Sequence, residues 1–167
     1  MADNYLESRY EAVFGAGANH KTIRQGLTYE QLLSRNVPCQ EFDAAYPVHI
    51  RQLQMIVSVC EKISKWFPKE LFSFEFVTKG EESEKIKSAI GESASGVDAF
   101  IIVCSQEKDV DIALGMILQG MTVKATEMGL GAVLLNDMDF DGLKKVMGLT
   151  NPVVSIIGIG KPANKLK

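Results

Sequence analysis

The sequence predicts an α+β fold in which a mixed sheet packs against a buried helix. Three observations lead there. Stretches with the apolar character of strands (72–78, 97–104, 130–135 and 153–158) are interleaved with stretches of helical periodicity. The most hydrophobic helix, 110–128, falls in the second half and is apolar almost all round. No complete glycine fingerprint for a nucleotide accompanies any strand.

Taken in order, residues 1–26 read as a separate arm. Tyr5, Leu6, Tyr10 and Val13 stand at helical spacing, and Phe14 to Thr22, FGAGANHKT, follows them. That glycine loop fails both phosphate-binding patterns at His20, where each requires glycine, and no strand precedes it. It reads as a flexible linker. Residues 27–167 then form a single domain, which suits a chain of 167 residues. Thr28 and Gln31 make a capping-box pattern that opens a short helix ending at Arg35. Pro38 and the stretch Phe42 to Tyr46 connect to the next helix, whose first turn suits Pro47. Leu53, Ile56, Val57, Cys60 and Ile63 lie on one face of it.

Phe72 to Thr78 alternates with period two and predicts a strand with one wet face. Glu81 to Ile90 is a charged amphipathic helix whose lysines and glutamates pair along a solvated face. Val97 to Cys104 is a continuous apolar run, the mark of an interior strand. Asp109 and Asp111 favour the start of the next helix through its dipole. Because that helix lacks a polar face, it is expected to be buried all round, in a core or a subunit interface. Gly115 and Gly120 would permit close approach, and Gly129 ends the helix. A strand (Leu130 to Leu135), a short helix (Phe140 to Met147) and a last strand (Val153 to Gly158) follow, before a basic tail.

The net charge of −3 supplies no electrostatic attraction to nucleic acid or an anionic membrane. Cys39, Cys60 and Cys104 form an odd set without ligand spacing and suit a reduced, cytoplasmic protein. The polar opening from Met1 to Asn4 is unlike a signal peptide, and the longest apolar run is too short to span a bilayer. His20 and His49 have no partners at spacings that support a metal site or a catalytic triad.

The second half carries a resemblance. Asp111 at the head of the apolar helix, Gly129-Leu130-Gly131, Gly148-Leu149 and the run from Gly158 to Pro162 fall in the order and spacing of the nitroreductase family of flavin enzymes. Upstream, Ser34-Arg35-Asn36-Val37-Pro38 followed by Phe42 is similar to the family's basic run, with Pro38 where its last arginine belongs. Trp66 to Phe74 stands where the family has an asparagine-containing signature, and lacks the asparagine.

The resemblance implies a mainly antiparallel sheet, a homodimer with the apolar helix at its interface, and FMN as cofactor. The flavin N5 would pass hydride from NAD(P)H to a small organic acceptor such as a nitroaromatic or quinone, so no catalytic side chain is required. Arg35 would hold the phosphate with Lys165 and Lys167, while Asn36 and Val37 take the family's neighbouring positions. Lys69 or Ser73 would replace the missing asparagine. Gly131, Leu135, Asn136 and Asp137 would border the flavin, with a backbone N–H near N5. The alternative is a redox-inactive dimeric flavin- or ligand-binding protein of the same fold acting as sensor or carrier, a reading favoured by Pro38 and the absent asparagine.

Overall fold

The computed structural model describes residues 28–68, 70–90, 96–135 and 137–163. The N-terminal arm and its glycine loop lie outside them, as do Lys69, Asn136, Lys165 and Lys167. The chain divides into two units, 1–31 and 32–167, and the fold is that of the second.

Helix α1 (Tyr29–Arg35) opens as its capping box requires: Thr28 N–H donates to Gln31 Oε1 at 2.9 Å, and Gln31 N–H donates to Thr28 Oγ1 at 3.3 Å. The next helical stretch starts later than Pro47 and is broken at Ser58 into α2 (Ile50–Val57) and α3 (Val59–Ile63). His49 precedes it, its N–H donating to Gln52 Oε1 at 2.8 Å. The remaining elements are β1 (Ser73–Val77), α4 (Glu81–Ile90), β2 (Ala99–Cys104), α5 (Asp111–Glu127), β3 (Gly131–Leu134), α6 (Phe140–Met147) and β4 (Val153–Gly160).

The four strands form one sheet in the order β1-β2-β4-β3, and every neighbouring pair is antiparallel. The mainly antiparallel sheet that the resemblance implies is found, with no parallel pair among the described strands. Strands β2 and β3 run the same way and are joined through α5, but β4 lies between them and runs against both. Helical crossovers and an antiparallel ladder therefore coexist.

Successive side chains of a strand point to opposite faces, so the sheet builds two cores. On one face Phe100, Ile102, Cys104 and Ile156 meet Ile86 of α4 and Leu143 of α6. On the other, Ile101, Val103, Ile157 and Ile159 meet Leu53 and Ile56 of α2, Cys60 of α3, and Ile117 and Met121 of α5. Strand β2, covered on both faces, is buried at every residue, which accounts for its unbroken apolar run. Strand β1 is an edge; Glu75 is exposed and Val77 buried on one face, while Phe74 and Phe76 are half-buried on the other.

Within a single chain, helix α5 is covered on one side. Ile117, Leu118, Met121 and Ala125 face the sheet, whereas Ile112 is 85% exposed and Met116 38% exposed within a single chain. Gly120 earns its place against α3: a Cβ there would stand 2.5 Å from Ile63 Cδ1. Gly129 closes the helix with φ +71°, a backbone state that glycine adopts without a steric cost.

Candidate functional site

Ser73, Cys104 and Val153 are in register at one end of the sheet, and a cleft of about 1240 Å³ opens there. Its walls are Trp66, Phe67, Pro68, Glu70, Leu71 and Ser73, the loop Ser105 to Asp109, Asn151, and the first turns of α5 with Ile112, Ala113 and Met116. The floor is held by one buried hydroxyl. Ser105 donates its N–H to Pro152 O at 3.0 Å and its Oγ–H to Leu71 O at 2.8 Å, and Oγ accepts from Glu107 N–H at 3.2 Å. Three loops are thereby tied to one residue that is 2% exposed. Beside it, Gln106 Nε2 donates to Asn151 Oδ1 at 2.8 Å, and Asn151 Nδ2 donates to Ser73 Oγ at 3.3 Å.

The cleft is walled by exposed hydrocarbon. Trp66 is 80% exposed and stands with Ile112 and Met116 on the same cavity. Large apolar side chains clustered in the open mark a surface that something covers. Glu70, Glu107, Asp109 and Lys108 supply the charge among the described lining residues. Desolvation by burial, with Glu75 nearby, raises the Cys104 thiol, so this cysteine stays protonated and unreactive at neutral pH. No group of described residues has the composition of a metal site.

Among the described residues, those expected around a flavin are not gathered in one cavity. Ser73 alone of those described lines the large cleft. Arg35, Asn36 and Val37 lie beside the C-terminal half of α5, towards the opposite end of the sheet. Asn36 Nδ2 donates to Thr122 Oγ1 at 3.0 Å and its Oδ1 accepts from Thr126 Oγ–H at 3.3 Å, so its side chain holds this segment to the helix. Arg35 is exposed and forms no ion pair with a described residue. Val37 is half exposed and donates its N–H to Arg35 O.

Gly131 has a packing reason of its own. A Cβ there would stand 2.8 Å from Cys39 Cβ and 3.1 Å from Pro162 Cγ. Leu135 is buried, and its N–H donates to Ile156 O at 2.9 Å, which occupies that donor. Asp137 is exposed at the far edge of the sheet, beyond β3. Strands β1 and β3 are separated by three inter-strand spacings, about 14 Å at the usual spacing. Sequence reasoning missed Ser105, Gln106, Asn151 and Ile112 as parts of the cleft. Polar loop residues and one apolar residue at a helix start carry no signal of their own until the loops are brought together.

Residues 104–161 match the family model described as the nitroreductase family. Solved structures align over most of the chain. A nitroreductase family protein from Clostridium novyi NT is similar at a TM-score of 0.71 and 14% identity, covering 83% of this chain and 87% of that one. A second, from Clostridium difficile 630, gives 0.69 at 16% identity, covering 84% and 88%. This is the nitroreductase fold. Over residues 104–161 the chain also carries the family's sequence pattern. An NADPH:FMN oxidoreductase from Vibrio harveyi complexed with NAD⁺ is similar at 0.62 and 18% identity, covering 81% of this chain and 69% of that one. No curated protein sequence matches. Among the described residues, no helix of this nitroreductase-fold chain is long and apolar enough to cross a membrane.

Proposed function

We propose that the chain is an FMN-dependent oxidoreductase that takes hydride from NAD(P)H and passes it to a small organic acceptor, working as a homodimer. The observation that carries this reading is an open, apolar-walled cleft at one end of the sheet in a nitroreductase fold. Arg35 lies outside the cleft that Ser73 lines, next to Asn36, which is bonded to the C-terminal half of α5. The exposed Ile112 and Met116 on α5 offer a surface through which a second copy would bring Arg35 and the cleft together.

The described residues fit a flavin in part. The exposed guanidinium of Arg35 suits a phosphate, which carries close to two negative charges and favours a two-pronged donor; Lys165 and Lys167 are further candidates. The cleft offers apolar walls and a polar, hydrogen-bonded rim to a flat ring. Asp137 N–H, which has no partner among the described residues, takes over from Leu135 as the candidate donor beside N5. FMN, when bound, supplies the redox chemistry itself. The chain's residues bind, orient and exclude water. The arm 1–26 is proposed as separate from a single domain, 27–167, and cytoplasmic residence as the setting.

A second reading keeps the dimer and drops the turnover. It rests on Asn36, whose side chain is engaged with Thr122 and Thr126, and on Pro38, which supplies no cation. Purification followed by reconstitution with FMN separates the two. The first reading expects a yellow protein absorbing near ~450 nm that oxidises NADH or NADPH in the presence of a quinone. Flavin retention without turnover supports the second. Failure to bind flavin at all overturns the first.

A further inference from the structure

We propose that a second cavity, which shares Phe67 with the cleft beside Ser73 but opens elsewhere, binds a small neutral aromatic molecule that carries a hydrogen-bond donor. The cavity measures about 740 Å³ and lies between the α2–α3 stretch and edge strand β1. That volume falls within the usual range of small-molecule sites, which runs from about 300 to 1,000 Å³.

Its inner wall is aromatic. Phe72, Phe74 and Phe76 alternate along the β1 stretch and so present their rings on one side, each half-buried. Phe67 closes the end, edge-on to Phe72 with ring centroids 6.0 Å apart. Offset and edge-to-face geometries are those that aromatic rings prefer, so a flat ring entering here adds to an existing arrangement. Cys60 stays uncharged in this wall: burial pushes its thiol up to about 11.

The mouth is polar and has one character. Gln54, Ser58, Glu61 and Ser64 follow one another at helical spacing along its rim. Ser58 donates its Oγ–H to Met55 O at 2.7 Å, and Ser64 donates its Oγ–H to Glu61 O at 2.9 Å. Both hydroxyl protons are therefore spent, and the two oxygens are left to accept. Glu61 adds a carboxylate, and no cationic residue is among the described lining residues. The rim thus rejects an anion and receives an N–H or O–H. An aryl amine or a phenol fits both conditions, whereas a fatty acid or an aryl sulfonate does not. The inference does not depend on the flavin reading, because none of the described flavin candidates lines this cavity.

The test uses the full chain and the fluorescent probe N-phenylnaphthylamine, a neutral aryl amine. Its emission should rise and saturate at one probe per chain. Gln54→Trp and Ser58→Trp, both at exposed rim positions, should each fill the mouth and weaken binding at least ~10-fold, a change of about 1.4 kcal/mol. Circular dichroism should stay unchanged in both. Anilinonaphthalene sulfonate, similar in shape but anionic, should bind more weakly than the amine, and Glu61→Gln should narrow that gap. Three outcomes overturn the proposal: no saturable binding, unchanged affinity in folded filling variants, or equal affinity for the two probes in the wild type. Sedimentation showing that Gln54→Trp or Ser58→Trp dissociates an oligomer would also overturn it, since a second copy would then be the occupant.

Discussion

Arg35 is the residue at which the flavin reading is most exposed to test. If its guanidinium holds the phosphate, Arg35→Ala weakens FMN binding by about 1.5–3 kcal/mol, the range for hydrogen bonds to charged groups, and leaves riboflavin binding nearly unchanged. Arg35→Lys recovers only part of the loss, because an ammonium lacks the planar fork. Equal losses for both ligands, read by quenching of flavin fluorescence, would make Arg35 a helix-end residue only. Lys87 supplies a pH-dependent prediction of another kind. Burial lowers the pKa of its ammonium, but hydrogen bonds to Asp98 and Glu84 outweigh that and raise the value above its ordinary 10.5. A raised value in the folded state means stability that is present below the unfolded pKa and lost as pH climbs through the folded one. Alkaline unfolding above about pH 10.5 should therefore be shallower in Lys87→Met than in the wild type, as followed by circular dichroism.

At the scale of elements, α5 sorts chain stability from assembly. Leu118 is 8% exposed and belongs to the chain's own core, so Leu118→Lys buries an unpaired charge and should unfold the chain, at a cost of several kcal/mol. Ile112, 85% exposed, faces away from that core. Ile112→Lys should leave the melting behaviour of the single chain intact and shift sedimentation from dimer to monomer. A wild type that already sediments as a monomer at micromolar concentration would remove the dimer from the proposed function. The strands and helices were legible element by element, because each owes its existence to local pattern. The capping box at Thr28, the left-handed Gly129 and the unbroken apolar run of β2 were all readable. The break at Ser58 was not, since the apolar positions continue through it.

For the whole molecule, cofactor and stability are linked. A ligand that binds only the folded chain stabilises it by about 2.7 kcal/mol at a hundredfold excess over its Kd. FMN at that excess should raise the melting temperature, and mass spectrometry of the denatured protein should release FMN and not FAD. Release of FAD would overturn the choice of FMN, which rests on the lack of a strand-linked glycine fingerprint for an adenosine diphosphate half. The cavity behind β1 adds an independent ligand, and its stabilisation should add to that of FMN if the two sites do not communicate.

The sequence by itself determined the elements and their order, and through Gly129-Leu130-Gly131 and the run to Pro162 it determined the family resemblance, because backbone preference and apolar periodicity act within a few residues. Tertiary structure decided the rest. Helix α5 is apolar on every side, so its pattern could not say which face the sheet would cover; packing left Ile112 and Met116 outside. Leu135 looked like a loop donor until strand pairing spent its N–H on Ile156. Asn36 stood in the sequence only as a neighbour of Arg35; folding set its side chain against Thr122 and Thr126 of α5. Hydrogen bonds between residues far apart in the chain leave no periodic trace, so only the folded chain reveals which polar groups remain to bind anything else.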